Sequence, residues 1–418
     1  MTGETLVTML RSARALTRLL VDDLTDEQMR APRLAILNPP LWEIGHVAWF
    51  QERWNLRHQA QRRPLRADAD ALFDSAAVAH DTRWDLLLPS RGDVLDYLAR
   101  VVDQTCERLV DPKRPPTEAD LYFAQLALFH EDMHGEALAY TRQTLALPAP
   151  QARRDAPAEA ASRTAPGFGS GPLPGDVDIP GGPFMLGAVP TKSFVFDNEK
   201  WAHPVTVKPF RIARAAVTQA EFAEFVEAGG YRRRELWSDD GWKWRDSAHA
   251  DHPVYWKREP SGRWLRRYFD RWIELADHLP AIHVNWFEAD AFCRWRGRRL
   301  ATEAEWELAA SGSPSGRGNL GWRFDDTQDV AAFPDGDSAF GCRQMLGNVW
   351  EWTASDFGPY PGFVADPYAE YSAPWFTGHK VLRGGCFVTQ PRLLRNTWRN
   401  FYTPDRRDVW AGFRSCAR

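Results

Sequence analysis

Apolar residues recur at helical spacing through the first third of the chain and give way to short runs and clustered aromatics in the rest. Leu6, Met9, Leu10, Ala13, Leu16, Leu19 and Leu20 predict an amphipathic helix over 4–21. Thr25 with Gln28 reads as a capping box for a short second turn. Pro39-Pro40 predicts a new helix start, since proline in the first turn forfeits no hydrogen bond. Trp42, His46, Trp49 and Phe50 share one stripe of that helix, so His46 is expected to point into an apolar interior. Residues 60–90 read as a long polar connection. Ser90 opens a third helix running to about Val110, and Pro115-Pro116-Thr117 opens a fourth over 118–145. Four helices with a long crossover between the second and third predict a four-helix bundle, an architecture that builds metal sites from facing helices.

The pattern breaks over 147–176, which is rich in Pro, Ala, Gly and Ser without periodicity and reads as a linker. Beyond it come short strand-like runs, many Gly and Pro, and dense Trp. A strand with a glycine-rich turn is expected over 179–187, and short helices over 220–228, 286–296 and 302–310. Three segments result: a bundle over 1–146, the linker over 147–176, and a second domain of mixed structure over 177–418.

Composition adds limits. A chain of 418 residues exceeds one ordinary core. A net charge of −4 without a long single-sign run gives no reason to expect a nucleic-acid partner. The five cysteines are odd in number and form no C-x-x-C pair, so neither a disulfide framework nor a structural zinc site is expected, and a cytoplasmic, reducing setting follows. No apolar run is long enough to span a membrane, and no signal-peptide pattern opens the chain. Oligomeric state is not legible.

The candidate chemistry lies in the fourth helix. His130 and His134 are four apart, which places both imidazoles on one helix face. They read either as two unrelated histidines or as adjacent ligands of one metal ion. His130-Glu131-x-x-His134 also spells a zinc-protease signature, with Glu131 as general base. The metzincin continuation of that signature fails, because Ala137 and Tyr140 stand where a Gly and a third His are needed.

The second domain carries four specific stretches: Leu300-Ala301-Thr302-Glu303-Ala304-Glu305-Trp306-Glu307, Gly347-Asn348-Val349-Trp350-Glu351-Trp352-Thr353, Val381-Leu382-Arg383-Gly384-Gly385-Cys386-Phe387 and Gly412-Phe413-Arg414. Together they resemble the formylglycine-generating-enzyme domain, an α+β fold of C-type-lectin-like form. That enzyme's copper-binding cysteine pair is missing here, so copper thiol-oxidase chemistry is not implied. A histidine on the second helix, a His-x-x-x-His on the fourth and this domain behind them resemble the ergothioneine-biosynthesis sulfoxide synthases, and among them selenoneine synthase. The resemblance implies a DinB-like four-helix bundle whose His46, His130 and His134 hold iron(II). It implies oxygen-dependent formation of a carbon–chalcogen bond on the imidazole of hercynine.

Further residues follow from the same resemblance. Tyr360 matches a proton-donating tyrosine, Asn400 an asparagine lining the hercynine pocket, and Met133 a position touching the acceptor ring. Arg83 lies in the connection that contributes donor-binding arginines. Phe401 and Tyr402 replace a tryptophan and an aspartate of the thiol-using enzymes. Loss of that aspartate removes a clamp for an amino group, and an aromatic lining with Phe363 suits a sugar. The donor expected on this ground is a selenosugar. The alternatives are cysteine or γ-glutamylcysteine as donor, or a non-catalytic lectin-like module with a vestigial metal site.

Overall fold

The computed structural model describes residues 1–150, 169–191 and 193–418; the stretch 151–168 of the expected linker lies outside the described residues. The chain divides into two compact units, Met1–Asp155 with Lys192–Phe194, and Ala156–Thr191 with Val195–Arg418.

The first unit is a helical bundle built on α1 (Gly3–Val21), α3 (Pro40–Gln51), α5 (Arg91–Leu109) and α6 (Glu118–Thr144). The short α2 (Asp26–Arg30) and α4 (Ala69–Phe73) lie between them in the chain. Side chains cap the starts as the sequence suggests. Thr25 and Gln28 form a capping box at α2, Ser90 caps α5, and Thr117 with Asp120 boxes α6. Every residue of α3 is buried, the condition of a helix in a bundle interior rather than on its surface. It continues over Glu52–His58 in wider π-helical turns. Gly45 lets α4 approach, because a Cβ there would lie 2.2 Å from the Phe73 ring.

The connection over 60–90 is more structured than its polarity suggests. Ala69, Phe73 and Val78 are buried, and Asp70 accepts from Arg57 and from the indole of Trp49. Five helical residues are too few to show a period. Phe194, far along the chain, also joins this unit and packs against Tyr122 and Phe129 at 5.3 and 5.1 Å.

The second unit combines small sheets with short helices. One four-stranded sheet has the order Asp176–Ile179, Phe210–Ala213, Ser415–Ala417, Arg298–Leu300; another has Asn400–Tyr402, Lys380–Arg383, Trp350–Asp356, Ala411–Gly412. A hairpin (Gly182–Leu186 with His203–Val207) and a three-stranded meander (Trp256–Arg258, Trp264–Tyr268, Arg271–Glu274) complete the described strands. The helices are α7 (Gln219–Glu227), α8 (Asp239–Ser247), α9 (Trp286–Trp295) and α10 (Glu303–Ala309). Thr218, Asn285 and Thr302 box α7, α9 and α10. The sequence reading did not foresee α8, whose single buried residue is Gly241 and which therefore shows no apolar stripe. Trp306, Trp350, Trp352 and Trp410 are fully buried, so much of the tryptophan density is core. All five cysteines are free and buried.

Candidate metal centre

His46 projects from the middle of α3, and His130 and His134 from successive turns of α6. One ligand atom from each comes within 4.8 Å of the others. The Nε2 atoms of His46 and His130 are 3.2 Å apart. Nitrogens at that distance repel unless a proton or a cation lies between them.

Two of the three rings have an acceptor at Nδ1. His46 donates from Nδ1 to the Phe73 carbonyl at 2.8 Å. His134 donates from Nδ1 to Glu43 Oε1 at 2.7 Å. In the neutral form each of these rings then carries its proton on Nδ1 and turns a bare Nε2 to the cluster. Two nitrogens at about 2.1 Å from one ion, at right angles, lie about 3 Å apart, which is the spacing between His46 and His130. The donor set therefore fits a metal ion.

Burial supports the same protonation state. Desolvation holds His46 and His130 well below the ordinary imidazole pKa, with the charge of His134 the next cause in each. Neutral imidazole is the ligating form. Aromatic faces fix the rings: Trp42 stacks on His46 at 5.0 Å and 7°, and Phe50 on His130 at 3.6 Å and 8°.

The zinc-protease reading fails on Glu131. That carboxylate is buried and accepts from Arg14 Nε at 2.8 Å, Arg14 Nη2 at 3.1 Å and Thr17 Oγ1 at 2.8 Å. It is the anchor of a helix–helix ion pair. Asp132 and Glu136, each two positions from His134, are also buried. The acceptor for His134 is Glu43, which the sequence reading passed over. Glu43 stands three residues before His46, one turn away on the same helix, a spacing that places it beside His46 but does not tell which side chain of α6 it meets.

The remaining candidates divide between the units. Met133 lies on α6, half-buried, next to His134. Arg83 is buried; it donates to Asn38 at 2.5 Å and lies 3.8 Å over the Trp42 ring, whose stacking partner is His46. No carboxylate pairs with it among the described residues, and it lines a cavity of ≈ 710 Å³.

Tyr360, Asn400, Phe401 and Tyr402 belong to the second unit. Tyr360 is buried, its hydroxyl has no hydrogen-bond partner among the described residues, and Arg399 lies 4.2 Å from its ring. Asn400 accepts from the Phe401 amide at 2.8 Å. Phe401 stacks on Phe357 at 4.0 Å, and Phe363 meets Phe376 at 5.0 Å. Arg406 lies 4.9 Å from the Tyr402 ring. The uncharged aromatic lining expected from the sequence is thus partly spent on packing, with a guanidinium beside it.

Residues 9–138 match the DinB superfamily, and residues 162–418 match the sulfatase-modifying factor enzyme 1-like domain. A three-histidine cluster in a DinB-type bundle, joined to such a domain, defines an iron-dependent oxidoreductase. The hercynine oxygenase of Mycolicibacterium smegmatis is 34% identical over 435 residues, covering 98% of both chains. That of Mycobacterium tuberculosis is 34% identical over 431 residues, also covering 98% of both. The formylglycine-generating enzyme of Mycobacterium tuberculosis is 35% identical over 239 residues, 46% of this chain and 76% of that one. The chain belongs to the hercynine oxygenase family. These relationships do not single out a selenium-using branch. Among the described residues, no helix is long and apolar enough to cross a membrane.

Proposed function

We propose that this protein is a cytoplasmic, iron(II)- and dioxygen-dependent enzyme that joins a thiol donor, cysteine or γ-glutamylcysteine, to the imidazole of hercynine as a sulfoxide. The observation that carries it is a three-histidine cluster, with His46 and His130 buried and His134 half-buried, in a chain that aligns with hercynine oxygenases over nearly its whole length. Iron(II) held by His46, His130 and His134 would supply the dioxygen chemistry that no side chain provides.

The chain's own residues bind, orient and hold protons. Met133, beside the ligands, is assigned to the acceptor ring. Arg83 is assigned to a donor carboxylate; its burial without a carboxylate partner supports this, since a paired ligand would relieve a costly charge. The Asn400 carbonyl oxygen is occupied by the Phe401 amide, which leaves its NH₂ to donate to the amino-acid end of hercynine. Tyr360 is assigned as proton donor. Burial, with Glu303 the next cause, raises its pKa, so the phenol keeps its proton at neutral pH. Tyr360→Phe removes only that hydroxyl. It is expected to lower kcat about 10²-fold or more, the range of a general acid, with iron content unchanged; an unaltered kcat would leave Tyr360 a packing residue.

A selenosugar donor is the second reading, favoured by Phe401 and Tyr402 where thiol-using relatives carry a tryptophan and an aspartate. One competition assay separates the two. The iron(II) protein is given hercynine, oxygen and either γ-glutamylcysteine, cysteine or a selenosugar, and products are read by mass spectrometry. A carbon–sulfur product is expected. Turnover with the selenosugar alone would establish the second reading, and no turnover with any donor would sink both.

A further inference from the structure

We infer that Glu43 is the positioning residue of the metal centre: it holds His134 in ligating orientation and raises its donor strength, so that the site binds its ion tightly and favours the oxidised state. The inference rests on the three-histidine metal reading.

Glu43 lies on α3, one turn before His46, and accepts from His134 on α6 at 2.7 Å. One helix thus supplies both a ligand and the clamp for a ligand of the facing helix. The side chain of Glu43 is 1% exposed. A buried carboxylate costs several kcal/mol of lost hydration, which a single hydrogen bond from a neutral imidazole does not repay. Arg83 acts on it only through space: Glu43 is the charge that opposes the lowering of the Arg83 pKa by burial, and among the described residues no ion pair joins the two. The three imidazoles bring no charge when neutral. A dication among them is the charge that a buried anion behind His134 balances.

The direction of the effect follows from bonding. A carboxylate pulling on Nδ1–H increases electron density at Nε2, strengthening that nitrogen as a ligand. More donation stabilises the higher charge on the metal, so the anion lowers the reduction potential. The other account is a protonated His134 in a plain ion pair with Glu43, with no bearing on any metal.

The test compares three variants of the full chain. Glu43→Gln keeps volume and an acceptor oxygen but removes the charge. Glu43→Ala removes both. Glu43→Asp keeps the charge on a shorter stem. Co(II) is titrated into each apo protein, followed by its visible spectrum, and the Fe(III)/Fe(II) midpoint potential is measured. Melting of the apo proteins reports the fold separately. Glu43→Gln is expected to bind Co(II) about tenfold more weakly and Glu43→Ala about 100-fold, the range for partners behind a ligand. Both potentials should shift positive, with Glu43→Asp nearer the parent than Glu43→Gln. Co(II) affinity and potential unchanged in Glu43→Gln, or an Asp variant no better than Gln, would overturn the inference. A parent chain that binds no Co(II) or iron would instead bring down the metal reading beneath it.

Discussion

His46→Ala is expected to bind no stoichiometric iron(II) and to turn over hercynine at the background rate while its helices remain folded. His46 is the only ligand contributed by α3, so its removal leaves two nitrogens from a single helix. Two imidazoles one turn apart make a surface-type chelate and do not enclose an ion. The fold cost is bounded. The Phe73 carbonyl loses its donor at 2.8 Å and Trp42 loses a stacked ring. An unsatisfied buried acceptor costs about 1–3 kcal/mol, which a two-unit chain with a long α5 and α6 can absorb. His134→Ala should abolish binding equally but destabilise more, since it strands the Glu43 carboxylate. The measurements are iron per chain after anaerobic reconstitution and gel filtration, with far-ultraviolet circular dichroism as the fold control. Iron content and turnover that both survive in either variant would show the site to be misplaced.

These two variants also mark where the sequence was legible. The helix faces that carry His46, His130 and His134 were readable because a helical period fixes which side chains share a face, while their grouping into one ligand set came from the family resemblance. The bundle followed from the same period, with caps at Thr25, Ser90 and Thr117 marking its ends. Glu43 was not read because its partner is 91 positions away, and spacing along one helix says nothing about what faces it. Asp132 and Glu136 each stand two positions from His134, and two positions along a helix turn a side chain by about 200°, to the opposite face. In the second unit, three- and four-residue strands carry no usable alternation. Its motifs were recognised as words, and their physical sense emerges only in three dimensions.

That sense is mutual neutralisation, and it yields the largest stability effect expected of a single substitution. Glu351, from the Gly347–Thr353 stretch, accepts from Arg414 Nε and Nη2 at 2.7 Å each, and from the Trp306 indole at 2.7 Å. Three of the four diagnostic stretches thus meet at one carboxylate. The fourth joins through Arg383, which reaches Glu303 at 2.8 Å and Glu307 at 2.5 Å. Glu351 and Arg414 are each 1% exposed. Arg414→Met is expected to destabilise the second unit by about 3–5 kcal/mol, because it strands a desolvated carboxylate. Glu351→Leu should cost a similar amount by stranding the guanidinium. The double variant should cost clearly less than the sum, since neither charge is then left alone. It should not return to parent stability: the Trp306 N–H loses its acceptor, and the Ala213, Arg214 and Arg343 carbonyls lose the Arg414 donors. Denaturant unfolding followed by tryptophan fluorescence reads the right unit, because sixteen of the twenty tryptophans follow residue 200. Additive single costs in the cycle, or single costs below about 1 kcal/mol, would show that the motifs do not act through this pair. A coupled loss would instead explain why the pattern that identifies the domain carries so many charges yet assigns none of them to the chemistry.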